Sequence, residues 1–74
     1  MEIEKHLSIT GTSSVSWKDA TVKAIFETSK TIDFISSIEI LSQRADIENG
    51  KIVKYYVDLD ISFVVDLNRK DNNF

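Results

Sequence analysis

The feature that most constrains the fold is a long alternation of apolar and polar side chains late in the sequence. Its apolar positions are every second residue, namely Val53, Tyr55, Val57, Leu59, Ile61, Phe63 and Val65. The positions between them carry Lys54, Tyr56, Asp58, Asp60 and Ser62. Because successive side chains of a strand point to opposite faces, this period of two predicts one long strand with one buried face. Directly before it, Asn49-Gly50 predicts a type I′ hairpin turn, since both residues accept positive φ.

Two segments near the start of the chain predict a strand followed by a helix. Residues 2–10 alternate in the same way and predict a strand that ends at Gly11. Residues 17–35 have helical periodicity. The predicted core-facing arc of this helix consists of Trp17, Ala20, Thr21, Ala24, Ile25, Thr28, Ile32 and Ile35. Val22 and Phe26 lie outside the arc, either as a partner surface or as ordinary scattered surface apolarity.

A further segment, residues 38–48, completes a β-α-β-β order. Its apolar side switches between Ile40 and Leu41, a pattern that indicates a β-bulge or a strong bend. The chain has no proline, and its two glycines lie at predicted turns, so no linker divides it. We therefore predict an α+β fold with a single domain over residues 1–65. Residues 66–74 are polar and aperiodic and predict a C-terminal tail that frays.

The size of the chain favours assembly with copies of itself. A domain of 74 residues buries a small core, and such domains usually need disulfides, a metal or oligomerisation. The sequence has no Cys and one His, which excludes disulfides and thiolate zinc sites. The predicted last strand spans roughly 46 Å, whereas the predicted helix spans roughly 28 Å. One end of the apolar face, either Val53 and Tyr55 or Phe63 and Val65, therefore needs cover from another copy.

Charge and composition exclude several classes of function. The net charge of -3 argues against nucleic acid, because a phosphate backbone requires a concentrated basic surface. There is no apolar run of about 18 residues, so we predict no membrane span. The first residues, MEIEKHL, lack the pattern of a secretion signal, and we therefore expect a cytoplasmic location.

The sequence is poor in catalytic groups, and we predict that the protein is not an enzyme. It has no Cys nucleophile, no G-x-S-x-G elbow and no phosphate loop. The one notable cluster of charged groups is acidic, with Asp58, Asp60, Glu48 and Asp46 on the polar side of the predicted hairpin. Carboxylates suit calcium or magnesium, and the candidate metal ligands are Asp58, Asp60 and Glu48. The alternative is that they only keep this face solvated.

Several short segments, taken together, resemble one family. The segments are Ile9-Thr10-Gly11-Thr12-Ser13, Ser16-Trp17-Lys18-Asp19-Ala20, Ile38-Glu39-Ile40, Gln43-Arg44-Ala45, Asn49-Gly50-Lys51-Ile52 and Leu59-Asp60-Ile61-Ser62-Phe63. Their order and spacing over residues 3–65 resemble the dodecins. The resemblance implies a three-stranded antiparallel sheet wrapped around one helix. It also implies a hollow shell of twelve copies with tetrahedral symmetry.

The resemblance also implies a function. Flavin-binding dodecins hold paired isoalloxazine rings between subunits and act as storage or protective buffers. Coenzyme A and metal ions have been associated with other members. The implied function is therefore the storage of a flavin, or of a related flat or anionic metabolite, without catalysis. The alternative is a structural dodecamer that binds calcium or magnesium and no flavin.

The residues that the resemblance implies for the ligand site differ from those of flavin binders. Flavin-binding dodecins stack the ring on a tryptophan just before the apolar-Glu-apolar step, and Ser37 occupies that position here. Serine has no aromatic face, which weakens FMN or riboflavin as a cofactor. The flavin-contacting glutamine corresponds to Tyr56, and Arg44 matches an arginine that some members place near the ligand. The chain thus resembles the branch of the family that lacks this stacking tryptophan, a branch that includes calcium-associated dodecins. The resemblance implies a ligand site between subunits, near Ser37, Arg44 and Tyr56.

Overall fold

The computed structural model describes residues 2–66, and its elements follow the predicted β-α-β-β order. The elements are β1 (Glu2–Ser13), α1 (Trp17–Ser29), β2 (Ile35–Glu48) and β3 (Lys51–Asp66). The three strands form one antiparallel sheet in the order β1-β3-β2. Apart from Asp66 itself, the predicted C-terminal tail lies outside the described residues.

The first strand does not end at Gly11, as the sequence predicted, but continues to Ser13. Gly11 is buried and pairs with Val57 of β3. A Cβ atom at Gly11 would lie 2.6 Å from the carbonyl oxygen of Ala20 and 2.9 Å from Cβ of Ala24. The glycine is therefore required by the close approach of α1 to the sheet, not by a turn.

Helix α1 begins where the sequence predicted and ends earlier. The N-cap Ser16 accepts the Asp19 N–H at 2.9 Å, but the helix stops at Ser29 rather than at residue 35. Phe34 has a φ of 64°, which no helix tolerates, and its carbonyl accepts the Val64 N–H at 3.3 Å. Pairing with β3 therefore overrides the helical periodicity of this segment. No helix within residues 2–66 has the length and apolarity that a bilayer crossing requires.

The core lies between α1 and the middle of β3. Ala20 and Ala24 pack against Val57, Leu59 and Ile61, which are fully buried. Small side chains on α1 let it lie close to the sheet, which agrees with the clash that a Cβ at position 11 would make. The predicted arc is thus confirmed for its central residues. Trp17 and Ile35 also pack at the edge of the core, although Ile35 does so from β2.

The structure decides which end of the hairpin α1 leaves uncovered. Phe63 and Val65 are buried, whereas Val53 is 40% exposed. Near the turn, Ile47 and Ile52 are exposed as well. A helix of 13 residues spans about 20 Å, and a strand of 16 residues about 53 Å. Of the two ends of this apolar face, the turn end of the β2–β3 hairpin is therefore the one that α1 leaves uncovered.

The hairpin has the predicted turn and the predicted bulge, together with register shifts that the sequence did not predict. Asn49 and Gly50 have φ values of 52° and 75°, as a type I′ turn requires. A register shift between Ile40 and Ser42 confirms the predicted bulge, and further shifts lie between Asp46 and Ile47 and between Ile35 and Ser37. The shift after Asp46 places Arg44 opposite Tyr56.

Candidate functional site

The face of the sheet that points away from α1, called the outer face below, carries the polar side chains of β3. These are Lys54, Tyr56, Asp58, Asp60 and Ser62, which alternate with the core residues. Strand β1 contributes Thr10 opposite Asp58, and β2 contributes Arg44 opposite Tyr56. The antiparallel register therefore brings polar groups from three strands onto one surface.

Four side chains form an exposed cluster on this face that we call the Arg44–Tyr56 platform, namely Arg44, Asp46, Lys54 and Tyr56. Arg44 Cζ lies 4.4 Å from the centre of the Tyr56 ring, and Lys54 Nζ lies 5.3 Å from the same centre. The Tyr56 hydroxyl donates to Asp46 Oδ2 at 2.6 Å. This hydrogen bond is the main cause that raises the pKa of Tyr56, and Arg44 opposes it. The platform thus presents an aromatic ring with two cations close to it.

The carboxylate of Asp58 lies beside the platform and already has several protein partners. It accepts hydrogen bonds from Thr10 Oγ1 at 2.7 Å and from the Ser42 hydroxyl, and Arg44 Nε lies 3.5 Å from it. The Ser42 and Thr10 hydroxyls lower the pKa of Asp58, with a smaller contribution from Arg44. Asp58 therefore helps to hold the guanidinium of Arg44.

Asp60 is held by the single histidine of the chain. His6 Nδ1 lies 2.6 Å from Asp60 Oδ2, and His6 Nε2 lies 2.9 Å from Glu4 Oε1. Ser62 Oγ is 3.3 Å from the same Nδ1. The hydrogen bond to Asp60 raises the pKa of His6 above its ordinary value of 6.5, and burial opposes this. The imidazole thus lies between two carboxylates on the outer face.

The remaining predicted site residues lie far from the platform within one copy. Ser37 pairs with Ser62, and Glu48 pairs with Lys51 at the turn. From the register, Ser37 is about 20 Å along β3 from Tyr56, and Glu48 is about 23 Å from Asp58. The structure therefore brings Arg44, Tyr56 and Asp58 together, with Asp60 next along the strand. It does not bring Ser37 or Glu48 to them.

No three acidic or histidine side chains within residues 2–66 converge closely enough to hold a metal ion. The candidate metal ligands Asp58 and Asp60 instead accept hydrogen bonds from neighbouring side chains. Sequence reasoning missed Asp46 and Lys54 as members of the platform. Asp46 lies two residues after Arg44 and Lys54 lies two residues before Tyr56, so both share the face of that pair. Only the register of the hairpin, which the sequence did not predict, identifies them as neighbours.

Comparison with known proteins decides the family. The family model described as Dodecin matches residues 3–66. The chain belongs to the dodecin family. The calcium dodecin of Mycobacterium tuberculosis is 27% identical over 63 residues, which cover 85% of this chain and 89% of that protein. The recognition made from short segments alone is thereby confirmed, and so is the fold that it implied.

Solved dodecin structures have the same fold. The dodecin of Streptomyces coelicolor has a TM-score of 0.83 at 23% identity and covers 88% of this chain and 93% of that one. The calcium dodecin of M. tuberculosis, described as having a novel calcium-binding site, has a TM-score of 0.76 at 27% identity. That match covers 97% of this chain and 99% of the relative.

Proposed function

We propose that this dodecin assembles into a hollow shell of twelve copies and stores a flat, anionic small molecule between its subunits. The ligand binds on the Arg44–Tyr56 platform and is released unchanged. The observation that carries the proposal is the guanidinium of Arg44 over the Tyr56 ring at 4.4 Å, on a surface that also holds Lys54. A cytoplasmic location remains a prediction from the sequence.

The chemistry of the platform suits a ligand that combines a flat ring with a negative charge. A guanidinium stacks on ring systems and donates paired hydrogen bonds to phosphate or carboxylate groups. Lys54 adds a second positive charge, with its Nζ 5.3 Å from the centre of the Tyr56 ring. Asp46 and Asp58 fix Tyr56 and Arg44 in advance, which lowers the entropy that is lost when a ligand binds.

Two observations support a site between copies. The turn end of the hairpin, with Ile47, Ile52 and Val53, exposes apolar side chains that α1 cannot reach, and burying such surface favours association. Within one copy, Ser37 is too far from Arg44 for one small molecule to contact both. A ligand that contacts all the predicted site residues must therefore lie between subunits.

Storage rather than catalysis is supported by the state of His6, the one histidine of the chain. Both ring nitrogens of His6 have carboxylate partners, at 2.6 Å and 2.9 Å. Neither nitrogen is available to take a proton from the nearby Ser62 hydroxyl, although general-base catalysis requires such a free acceptor. The polar groups of the outer face are therefore arranged to hold one another and a ligand.

A second candidate function is calcium binding, which is favoured by the similarity to a relative named calcium dodecin. Asp58 and Asp60 lie two residues apart on the outer face and would supply carboxylate oxygens. Their present partners are hydroxyls, the Arg44 guanidinium and an imidazole, which an ion would have to displace. Glu48, which lies at the turn, could join them only from another copy. In this form the shell would hold calcium or magnesium and no flavin.

A flavin titration tests the first candidate. Flavin mononucleotide and riboflavin are added separately to the purified assembly, and flavin fluorescence is followed. Because the platform is cationic, we expect the phosphate-bearing flavin to bind about tenfold more tightly than riboflavin. Arg44→Ala should remove this preference, whereas Lys51→Ala, which removes a charge at the distant turn, should keep it. Unchanged fluorescence with both flavins would refute a flat anionic ligand of this class.

A thermal titration tests the calcium candidate. A ligand that binds the folded state raises the melting temperature by mass action. If calcium is bound, we expect a higher melting temperature with calcium than with chelator, and Asp58→Asn should reduce the difference. A melting temperature indifferent to calcium, magnesium and chelator would remove this candidate.

A further inference from the structure

Trp17, the one tryptophan of the chain, contacts the underside of the platform. Its indole Nε1–H donates to the backbone carbonyl of Arg44 at 3.0 Å. Its ring meets the Tyr55 ring edge to face, with the centres 5.0 Å apart and the planes at 82°. Trp17 therefore contacts one platform residue directly and the chain neighbour of another.

These contacts occur on an edge strand, close to one of its register shifts. Strand β2 lies at the edge of the sheet and has β3 on one side alone. The register shift between Asp46 and Ile47 disturbs the ladder close to Arg44. A bulge bends a strand and re-aims its side chains. A hydrogen bond from Trp17 to the Arg44 carbonyl therefore holds the backbone at the position that aims the guanidinium.

The indole is itself placed by a hydrogen-bonded loop. The Ser13 hydroxyl donates to Asp19 Oδ2 at 2.6 Å and accepts the Val15 N–H at 2.9 Å. Ser16 caps the helix by accepting the Asp19 N–H. These bonds fix the backbone on both sides of Trp17, so the indole is preorganised before any ligand arrives.

We propose that Trp17 is a positioning residue for the ligand site, which acts through the Arg44 carbonyl and the Tyr55 ring to hold Arg44 over Tyr56. Its role in binding rests on the function proposed above, but its role in geometry does not. Trp17 lies on the inner face and Arg44 points to the outer face, so Trp17 acts through the backbone of β2. It does not touch the ligand.

The test measures the geometry of the platform without a ligand. In a Tyr55→Phe background, Tyr56 is the one remaining tyrosine, and its phenolate absorbance reports its pKa between about pH 8 and about pH 12. Trp17→Phe is then added, which keeps an aromatic ring but removes the N–H donor. If β2 shifts, the Asp46 carboxylate moves away from the Tyr56 hydroxyl. We expect the midpoint to fall toward the ordinary value.

Controls separate positioning from a loss of core packing. Ile9→Val removes a methyl group elsewhere at the edge of the core and should leave the Tyr56 midpoint unchanged. Should Trp17→Phe fail to fold, benzothienylalanine at position 17 has the shape of tryptophan without the N–H. A lower melting temperature with an unchanged Tyr56 midpoint, in either variant, would make Trp17 a core residue only and overturn the proposal.

The link to binding is tested separately. Trp17→Phe should weaken the affinity for flavin mononucleotide by up to about fivefold, because without this hydrogen bond the binding-competent position of Arg44 is less populated. If the unsubstituted protein binds no flavin, the proposed ligand class fails, yet the Tyr56 titration still decides the role of Trp17. If flavin binds equally well to both proteins, the positioning role is refuted while the proposed function stands.

Discussion

Replacing Gly11 by alanine tests how closely α1 must approach the sheet. The new Cβ would lie 2.6 Å from the Ala20 carbonyl oxygen, whereas ordinary contact begins at 3.4 Å. The helix would therefore have to retreat by about 0.8 Å, the difference of these two distances. A retreat of that size forfeits roughly a quarter to a half of the contact energy between the facing surfaces.

The magnitude follows from two opposing effects. Overpacking of this kind costs about 1–3 kcal/mol. An alanine also restricts the conformations of the unfolded chain, which stabilises the folded state by about 0.4–1 kcal/mol. We therefore expect Gly11→Ala to lower the free energy of unfolding by about 1–2 kcal/mol. For a domain of this size, that corresponds to a melting temperature lower by roughly 5–15 °C.

The assay is thermal unfolding followed by circular dichroism at one fixed protein concentration, because assembly makes the melting temperature depend on concentration. Gly50→Asn is the matched control. Gly50 has nothing within 4 Å but a φ of +75°, which asparagine accepts, so its melting temperature should barely change. Adding Ala24→Gly to Gly11→Ala should restore little, since the clash with the Ala20 carbonyl remains. A melting temperature of Gly11→Ala equal to or above that of the unsubstituted protein would refute the reasoning.

Three further predictions address the ligand site, the cap of α1 and assembly. Ser37→Trp should increase the affinity for flavin by restoring the stacking surface of the flavin-binding dodecins. Ser8→Trp, which places a tryptophan on the outer face but on β1, should not. Equal flavin affinities of the two variants would contradict the assigned position. The hydrogen bond from Ser13 lowers the pKa of Asp19 below its ordinary value of 3.8. Ionised Asp19 therefore stabilises the fold at pH values above 3.8, and this contribution is lost as the pH falls further and Asp19 is protonated. Asp19→Asn should therefore melt earlier at neutral pH and equally at strongly acidic pH, and a constant difference at all pH values would exclude the charge as the cause. Val53→Asp puts a charge on the uncovered turn end and should shift sedimentation toward smaller species; an unchanged profile would mean that this surface lies outside the subunit contacts.

Much of the fold could be predicted because its signals are local. The period of two in β3 and the turn residues Asn49-Gly50 depend on side chains close in sequence, and the structure confirms both. The end of α1 and the role of Gly11 were predicted wrongly, because each depends on a partner distant in sequence. The Phe34 carbonyl accepts a hydrogen bond from the Val64 N–H outside the helix, and the absence of a side chain at Gly11 leaves space for the Ala20 carbonyl.

The candidate site could be predicted only in part, because one register shift decides it. Without the shift between Asp46 and Ile47, a two-residue turn would pair Arg44 with Tyr55, which faces the core. The shift pairs Arg44 with Tyr56 and turns its side chain to the outer face. The resemblance to the dodecins supplied Arg44 and Tyr56 as single positions. Only the three-dimensional register joins them to Asp46 and Lys54.

The central claim is that one copy of the chain leaves apolar sheet uncovered and that other copies cover it. Sedimentation velocity at micromolar concentration tests this most directly. Twelve chains of 8.4 kDa predict one species of about 101 kDa. A folded, solitary species of 8.4 kDa at the same concentration would contradict the claim, and with it the ligand site between subunits.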